Sequence, residues 1–303
     1  EWSGRNDGPG PEHARWHSSI DTASSPTADA VHLIGFASDE GVERNGGRQG
    51  AAQGPAALRA ALGSLAVHEP RKLIDAGTVT TQDDDLETAQ REVSDRVRDL
   101  VAAQGSAGMT VVLGGGHETS FATHRGAYEA LGPMQVINFD AHFDLRTADR
   151  PTSGTPFRQI AELVGDDFDY SVFGISRPNN TKVLFDTAEQ LGVTTVLDTE
   201  LAAMTVREAA ERALAAVEGD LPIHLSIDLD VLPAAVAPGV SAPAGFGVDY
   251  AALRAMVAAV ASTGRVALLD VVELNPEFDV DNRTAKAAAR LVDDAVVGAT
   301  GRR

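Results

Sequence analysis

The sequence predicts an α/β fold in which helices cover both faces of a mostly parallel sheet. Two observations carry this. Short, strand-length apolar runs alternate with helix-like stretches along the chain, and four of the runs end in tight clusters of polar side chains. Residues 1–29 are polar and broken by Gly and Pro, an irregular lead-in that Trp2 and Trp16 pack onto the body. VHLIGF (31–36) opens the sheet, followed by helices over 54–65, with Pro55 just inside its start, and over 86–103. TVVL (110–113) is the next strand, then a helix over 118–131, then MQVINF (134–139) and YSVFGI (170–175). Helices over 181–191 and 205–218 lead to PIHLSI (222–227), a helix over 249–262, VALLDVV (266–272) and a last helix over 281–297. With no internal repeat and no linker after residue 29, residues 30–303 read as one catalytic domain.

Composition narrows the function classes. The chain of 303 residues is 43% hydrophobic and 23% charged, enough to bury a sizeable core. Its 25 Lys and Arg against 44 Asp and Glu give a formal net charge of −19, which repels phosphate backbones and anionic lipid, so no nucleic-acid or membrane partner is expected. The absence of Cys excludes disulfides, zinc–thiolate sites and thiol nucleophiles. No apolar run approaches the ~18 residues needed to span a bilayer and no secretory leader pattern opens the chain, which makes the cytoplasm the expected compartment.

In open α/β sheets ligands sit beyond the carboxyl ends of the strands. TVVL leads to Gly114-Gly115-Gly116-His117-Glu118, MQVINF to Asp140-Ala141-His142-Phe143-Asp144, PIHLSI to Asp228-Leu229-Asp230, and VALLDVV to Glu273-Leu274-Asn275-Pro276. Residues two apart on extended chain point the same way, so Asp140, His142 and Asp144 share a face, as do Asp228 and Asp230. Four carboxylates gathered together resist ionisation unless cations neutralise them, and two divalent ions do so. Adding His117 gives a ligand set for a binuclear centre with metals about 3.5–4 Å apart. The mixture of four Asp with two His favours two Mn²⁺ ions, while Zn²⁺, Fe²⁺ and Co²⁺ remain compatible with it. GGGH lacks the spacing of a phosphate-binding loop, so its glycines are expected to permit close backbone approach instead.

GGGHE, DAHFD, SIDLDV and VVELNP together resemble the ureohydrolase superfamily of arginases, agmatinases and formimidoylglutamases, over nearly the whole chain from Val31 to Val297. The resemblance implies a three-layer αβα arginase-like fold and a binuclear manganese centre whose hydroxide attacks an amidine or guanidine carbon. It further implies that His117, Asp140, Asp144 and Asp228 bind one metal and Asp140, His142, Asp228 and Asp230 the other, with Asp140 and Asp228 bridging. Asp144 would relay a proton to the leaving group, and Glu273 would pair with the substrate's nitrogen cation. Relatives commonly form trimers or hexamers, which implies a homo-oligomer.

Within the superfamily, the WSGRND lead-in, the 39–50 segment and DAHFDLR followed by SGTPF (153–157) resemble the formimidoylglutamase branch. Where arginases place a proton-shuttling His, this chain has Phe157, and the segment after YSVFGI carries Arg177, Asn179 and Asn180 rather than acids. N-formimidoyl-L-glutamate brings two carboxylates and no free α-ammonium. Guanidinium forks suit such groups, so Arg146, Arg177 and Arg48, with Ser153 and Asn179, are candidates to bind the substrate's tail. The expected activity is hydrolysis of N-formimidoyl-L-glutamate to L-glutamate and formamide, a step of histidine breakdown. Which C–N bond breaks rests on the resemblance alone. The alternatives are an agmatinase- or arginase-type hydrolase releasing urea, and a metal-binding member without activity.

Overall fold

The computed structural model describes residues 2–217 and 219–300. Among them, nine strands form one sheet: β1 (Ile20–Asp21), β2 (Ala30–Ala37), β3 (Lys72–Thr80), β4 (Met109–Leu113), β5 (Gln135–Phe139), β6 (Asp169–Ile175), β7 (Thr194–Leu197), β8 (Ile223–Asp228) and β9 (Val266–Val272). Their order across the sheet is β1-β3-β2-β4-β9-β8-β5-β6-β7, and every pairing between them is parallel. The predicted mostly parallel α/β sheet is the one observed. β4 and β5 are consecutive in the chain yet lie on opposite sides of the β9–β8 pair, so the winding of the chain switches there, and it is at the carboxyl ends of strands at such a switch that α/β sheets bind ligands.

Alternation along the strands builds the three layers. In β2, Val31 and Leu33 join one core, while Ile34 and Phe36 join the core on the other face. In β4, Met109, Val111 and Leu113 face the first core and Val112 the second. Both faces are therefore apolar, and the strands read as continuous hydrophobic runs rather than alternating ones. Helices Gly54–Gly63, Tyr250–Ala261 and Arg283–Thr300 cover the first face through side chains such as Leu58, Leu253 and Leu291. Helix Leu86–Ala103 covers the other through Val93 and Val97. No helix of the described residues is long and apolar enough to cross a membrane.

Six of these strands are legible as apolar runs in the sequence; β1, β3 and β7 are additional. β3 hides Asp75 in mid-strand, where the Arg59 guanidinium binds both of its carboxylate oxygens at 2.8 Å. A paired charge breaks the apolar pattern without breaking the strand. β7 has only four residues, at the sheet edge. β1 lies within the lead-in read as irregular, which also forms a helical turn, Trp16–Ser19. Trp2 Nε1 donates to Asp75 at 2.6 Å and the buried Trp16 donates to Asp293 at 3.0 Å, which fixes this segment against the body. Helix Pro156–Val164 is a further element beyond those expected: its start reads as turn chemistry, yet Phe157, Ile160 and Val164 form a buried stripe. The last helix begins at Arg283 rather than 281 because Asp281 and Asn282 take left-handed backbone conformations.

Candidate metal centre

The four central strands deliver the polar clusters to one place. After β4, Gly115 passes so close to the loop following β2 that a Cβ would lie 1.8 Å from the Ser38 carbonyl oxygen, which explains a glycine there and carries the chain to His117. After β5 and β8 the same device appears twice. Asp140 Oδ1 accepts from the His142 N–H at 2.6 Å, and Asp228 Oδ1 accepts from the Asp230 N–H at 2.8 Å. Each aspartate thus turns the strand end with one oxygen and presents the other. After β9, Glu273 donates its N–H to Gly115 at 2.7 Å and accepts from the His117 N–H at 2.8 Å. Asp144 and Glu273 both have positive φ, 49° and 67°, a backbone state that costs non-glycine residues energy and is held here by the surrounding turns.

Two sets of side chains result. His117 Nδ1 lies 3.1 Å from Asp140 Oδ2, 3.0 Å from Asp144 Oδ2 and 3.1 Å from Asp228 Oδ2. His142 Nδ1 lies 2.9 Å from Asp230 Oδ2 and 3.7 Å from Asp140 Oδ1. Either set can offer its ligand atoms within 4.8 Å of one another, and Asp140 belongs to both. Asp228 stands in the first of these two sets, while the resemblance implies a place for it in both. Asn138 on β5 donates to Asp140 Oδ2 at 3.1 Å and steadies the shared carboxylate.

The electrostatics call for cations. Burial, then the charges of Asp230 and Asp140, push the Asp228 carboxyl well above the usual range, and burial with Asp140 raises Asp144. Burial and the nearby Glu118 likewise push Glu273 well up. The Asp230 charge raises His142 to about 11 against the opposing effect of burial. His117 is fully buried, which disfavours its charge, yet the three carboxylates around it raise its pKa well above the ordinary value. Its Nδ1 nevertheless makes no hydrogen bond and points among oxygens of one sign. An orphaned nitrogen facing three carboxylates is the environment a divalent cation satisfies.

This cluster opens into a cavity of about 200 Å³ whose lining includes His142, Asp144, Arg146, Ser153, Asn180 and Glu273. Arg146 is exposed and its guanidinium has no ion pair or hydrogen bond among the described residues. Ser153 is buried, and its Oγ accepts from Asn45 Nδ2 at 3.2 Å. Arg177 and Asn179 lie exposed on the turn after β6 and are not among the residues lining this cavity. Their neighbour Asn180 lines it instead, binding the Ala141 and Ser176 carbonyls and the Phe143 N–H. Arg48 is also spent, donating to the Val240 and Ser241 carbonyls and covering the Phe278 ring at 3.8 Å. Phe157 is buried edge-on to His117 and stacked on Tyr170, so it packs behind the centre.

Glu118, the residue after His117, has no role legible in the sequence. Its Oε1 accepts from Ser38 Oγ at 3.0 Å and the Gly41 N–H at 3.1 Å, tying the cavity wall to the centre. Burial raises its carboxyl to about 7. A larger cavity of about 940 Å³ lies between the lead-in and β3, but the Arg59 and Asp75 that line it neutralise each other.

A model of the Arginase family matches residues 29–298, nearly the whole chain. The chain belongs to the arginase family. Within that family it is 49% identical to the formimidoylglutamase of Corynebacterium efficiens over 296 residues, covering 97% of this chain and 93% of the relative. It is 29% identical to the crystal structure of Trypanosoma cruzi formiminoglutamase with Mn²⁺, at a TM-score of 0.85 and a coverage of 96% and 99%. Formimidoylglutamase from Bacillus subtilis, at 23% identity, shares the fold with a TM-score of 0.86 over 95% of this chain and 92% of that one. The arginase-like fold inferred from the four motifs is therefore the fold of this chain.

Proposed function

We propose that the protein is a formimidoylglutamase that hydrolyses N-formimidoyl-L-glutamate to L-glutamate and formamide at a pair of Mn²⁺ ions. The observation that carries this is a carboxylate-and-imidazole cluster opening into a cavity whose one uncommitted guanidinium is Arg146. Similarity to formimidoylglutamases over nearly the whole chain supports it. His117, Asp140, Asp144 and Asp228 would hold one ion, and Asp140, His142 and Asp230 the other. When bound, the pair supplies a water activated for attack on the amidine carbon.

The chain's own groups do the rest. Glu273, held in place by the His117 N–H, pairs with the substrate's amidinium nitrogen. Asp144, a member of the ligand set that also lines the cavity, accepts the water's proton on its carboxylate and returns it to the α-nitrogen as the C–N bond breaks. Arg146 and Ser153 receive the substrate's carboxylates. With Phe157 in place of an imidazole, arginine lacks the proton shuttle that the resemblance implies for arginases, and the segment after β6 offers Arg177, Asn179 and Asn180 in place of acids for its ammonium. A trimeric or hexameric assembly belongs to the same reading, and the location we propose is the cytoplasm.

The test is a parallel assay of the Mn²⁺-loaded protein on N-formimidoyl-L-glutamate, L-arginine and agmatine, with glutamate, formamide, ammonia and urea quantified. Glutamate with formamide from the first substrate alone is the expected result. Urea from either guanidine refutes the substrate assignment, and ammonia with formylglutamate refutes the bond.

A further inference from the structure

Directly beneath His117, in the buried layer between helix Thr119–Leu131 and the strands β8 and β9, lies a chain of polar side chains that the chemistry above does not use. His117 Nε2 is 3.0 Å from Ser226 Oγ, and Ser226 Oγ is 3.1 Å from Ser120 Oγ. Ser120 Oγ is 2.9 Å from Asp270 Oδ2. Asp270 Oδ2 also receives Thr123 Oγ1 at 2.8 Å and His224 Nε2 at 2.7 Å, and His224 Nδ1 is 3.1 Å from His124 Nδ1. Each of these residues is fully buried.

The direction of every bond follows from the inventory of hydrogens. A carboxylate only accepts, so the single hydroxyl hydrogen of Ser120 goes to Asp270. Ser120 then has only lone pairs left for Ser226, which must donate to it. Ser226 in turn has only lone pairs left for His117, so the proton of the neutral imidazole sits on Nε2. In the neutral ring, the form that can ligate a cation, the lone pair is then on Nδ1, the nitrogen that faces Asp140, Asp144 and Asp228. Histidine ligands are commonly oriented by a carboxylate on the far ring nitrogen. Here two hydroxyls are interposed between the two.

We propose that Asp270, Ser120 and Ser226 are positioning residues that set the tautomer and ring orientation of His117, and through it the affinity of one of the two cation sites. The proposal rests on the reading of His117 as a metal ligand. A merely structural role predicts something else, because the same residues also fasten the helix to the sheet.

The experiment titrates MnCl₂ into metal-free native protein, Ser226→Ala, Ser120→Ala and, as a control, Ser94→Ala, while the melting temperature of each is recorded. Ser94 fastens the same helix through the Ala122 carbonyl but has no link to His117. Native protein is expected to bind two equivalents. Ser226→Ala and Ser120→Ala each weaken one equivalent by about 10–100-fold and leave the other within about threefold. Ser94→Ala lowers the melting temperature and leaves both affinities alone. If Ser226→Ala does not fold, Ser120→Ala decides. Two equivalents in native protein with unchanged affinities in both serine variants overturn the relay alone; native protein that binds no Mn²⁺ overturns both the relay and the metal reading.

Discussion

Asp144 and Glu273 show what the site asks of individual residues. Glu273 is buried and Asp144 half-buried, the ionisation of both carboxyls is opposed, and both sit at positive φ, so the fold gives up backbone and electrostatic stability to aim them. Their identity was legible because carboxylates directly after apolar strands are chemically conspicuous. Their backbone state was not, since nothing in DAHFD or VVELNP marks a left-handed residue. The arginines teach the complementary lesson. Arg48, Arg146 and Arg177 look alike in sequence, but Arg48 is committed to carbonyls and a ring, Arg177 is outside the cavity, and Arg146 alone is uncommitted and lines it. Arg146→Ala should raise KM for N-formimidoyl-L-glutamate by about tenfold or more with a smaller change in kcat, the loss of one charge-assisted contact. Arg177→Ala should leave both constants within about twofold. Steady-state kinetics of the two variants checks the distinction, and an unchanged KM in Arg146→Ala removes it from the site.

At the scale of elements, the metal cluster is a property of strand ends, while the cavity wall is a property of loops fastened by ion pairs. Arg44, on the short helix Glu40–Arg44, binds Glu40, both oxygens of Glu87 and the Pro151 carbonyl, and Arg150 joins the same Glu87. Glu87 thus ties the 40–50 and 150–155 segments to the start of helix Leu86–Ala103. Partial burial opposes its charge, yet the bonds from Arg44 and Arg150 hold its carboxyl down to about 2 from 4.5. A depressed folded-state pKa contributes stability that is full above the unfolded value and lost as pH falls through the folded one. The Tm gap between native protein and Glu87→Gln should therefore be open at pH 7 and close as the pH falls from 4.5 toward 2. Thermal melts across that window check it, and a gap independent of pH contradicts it. Such long-range fastenings join positions far apart in sequence, and no local pattern announces them. The missed β3 has the same cause, since Asp75 fits a strand only because Arg59 arrives from another element.

At the scale of the molecule, the strand order makes the site. Placing β9 and β8 between β4 and β5 sets four carboxyl ends side by side, so clusters separated by more than a hundred residues of chain meet in one crevice. The alternation of apolar runs and helices made the layered architecture readable in sequence. The order of the strands is not encoded in any one of them; it emerges from the crossovers, and only the shared chemistry of the four ends pointed to a common edge. One carboxylate, Asp140, belongs to both candidate cation sites, and in the proposed centre it joins them. Metal content by elemental analysis, measured on Mn²⁺-equilibrated Asp140→Ala beside native protein, tests it most directly. Two ions are expected in the native protein, fewer than one in the variant, and a rate on N-formimidoyl-L-glutamate lower by more than about 100-fold; two retained ions with a native rate would rule out the shared role of Asp140.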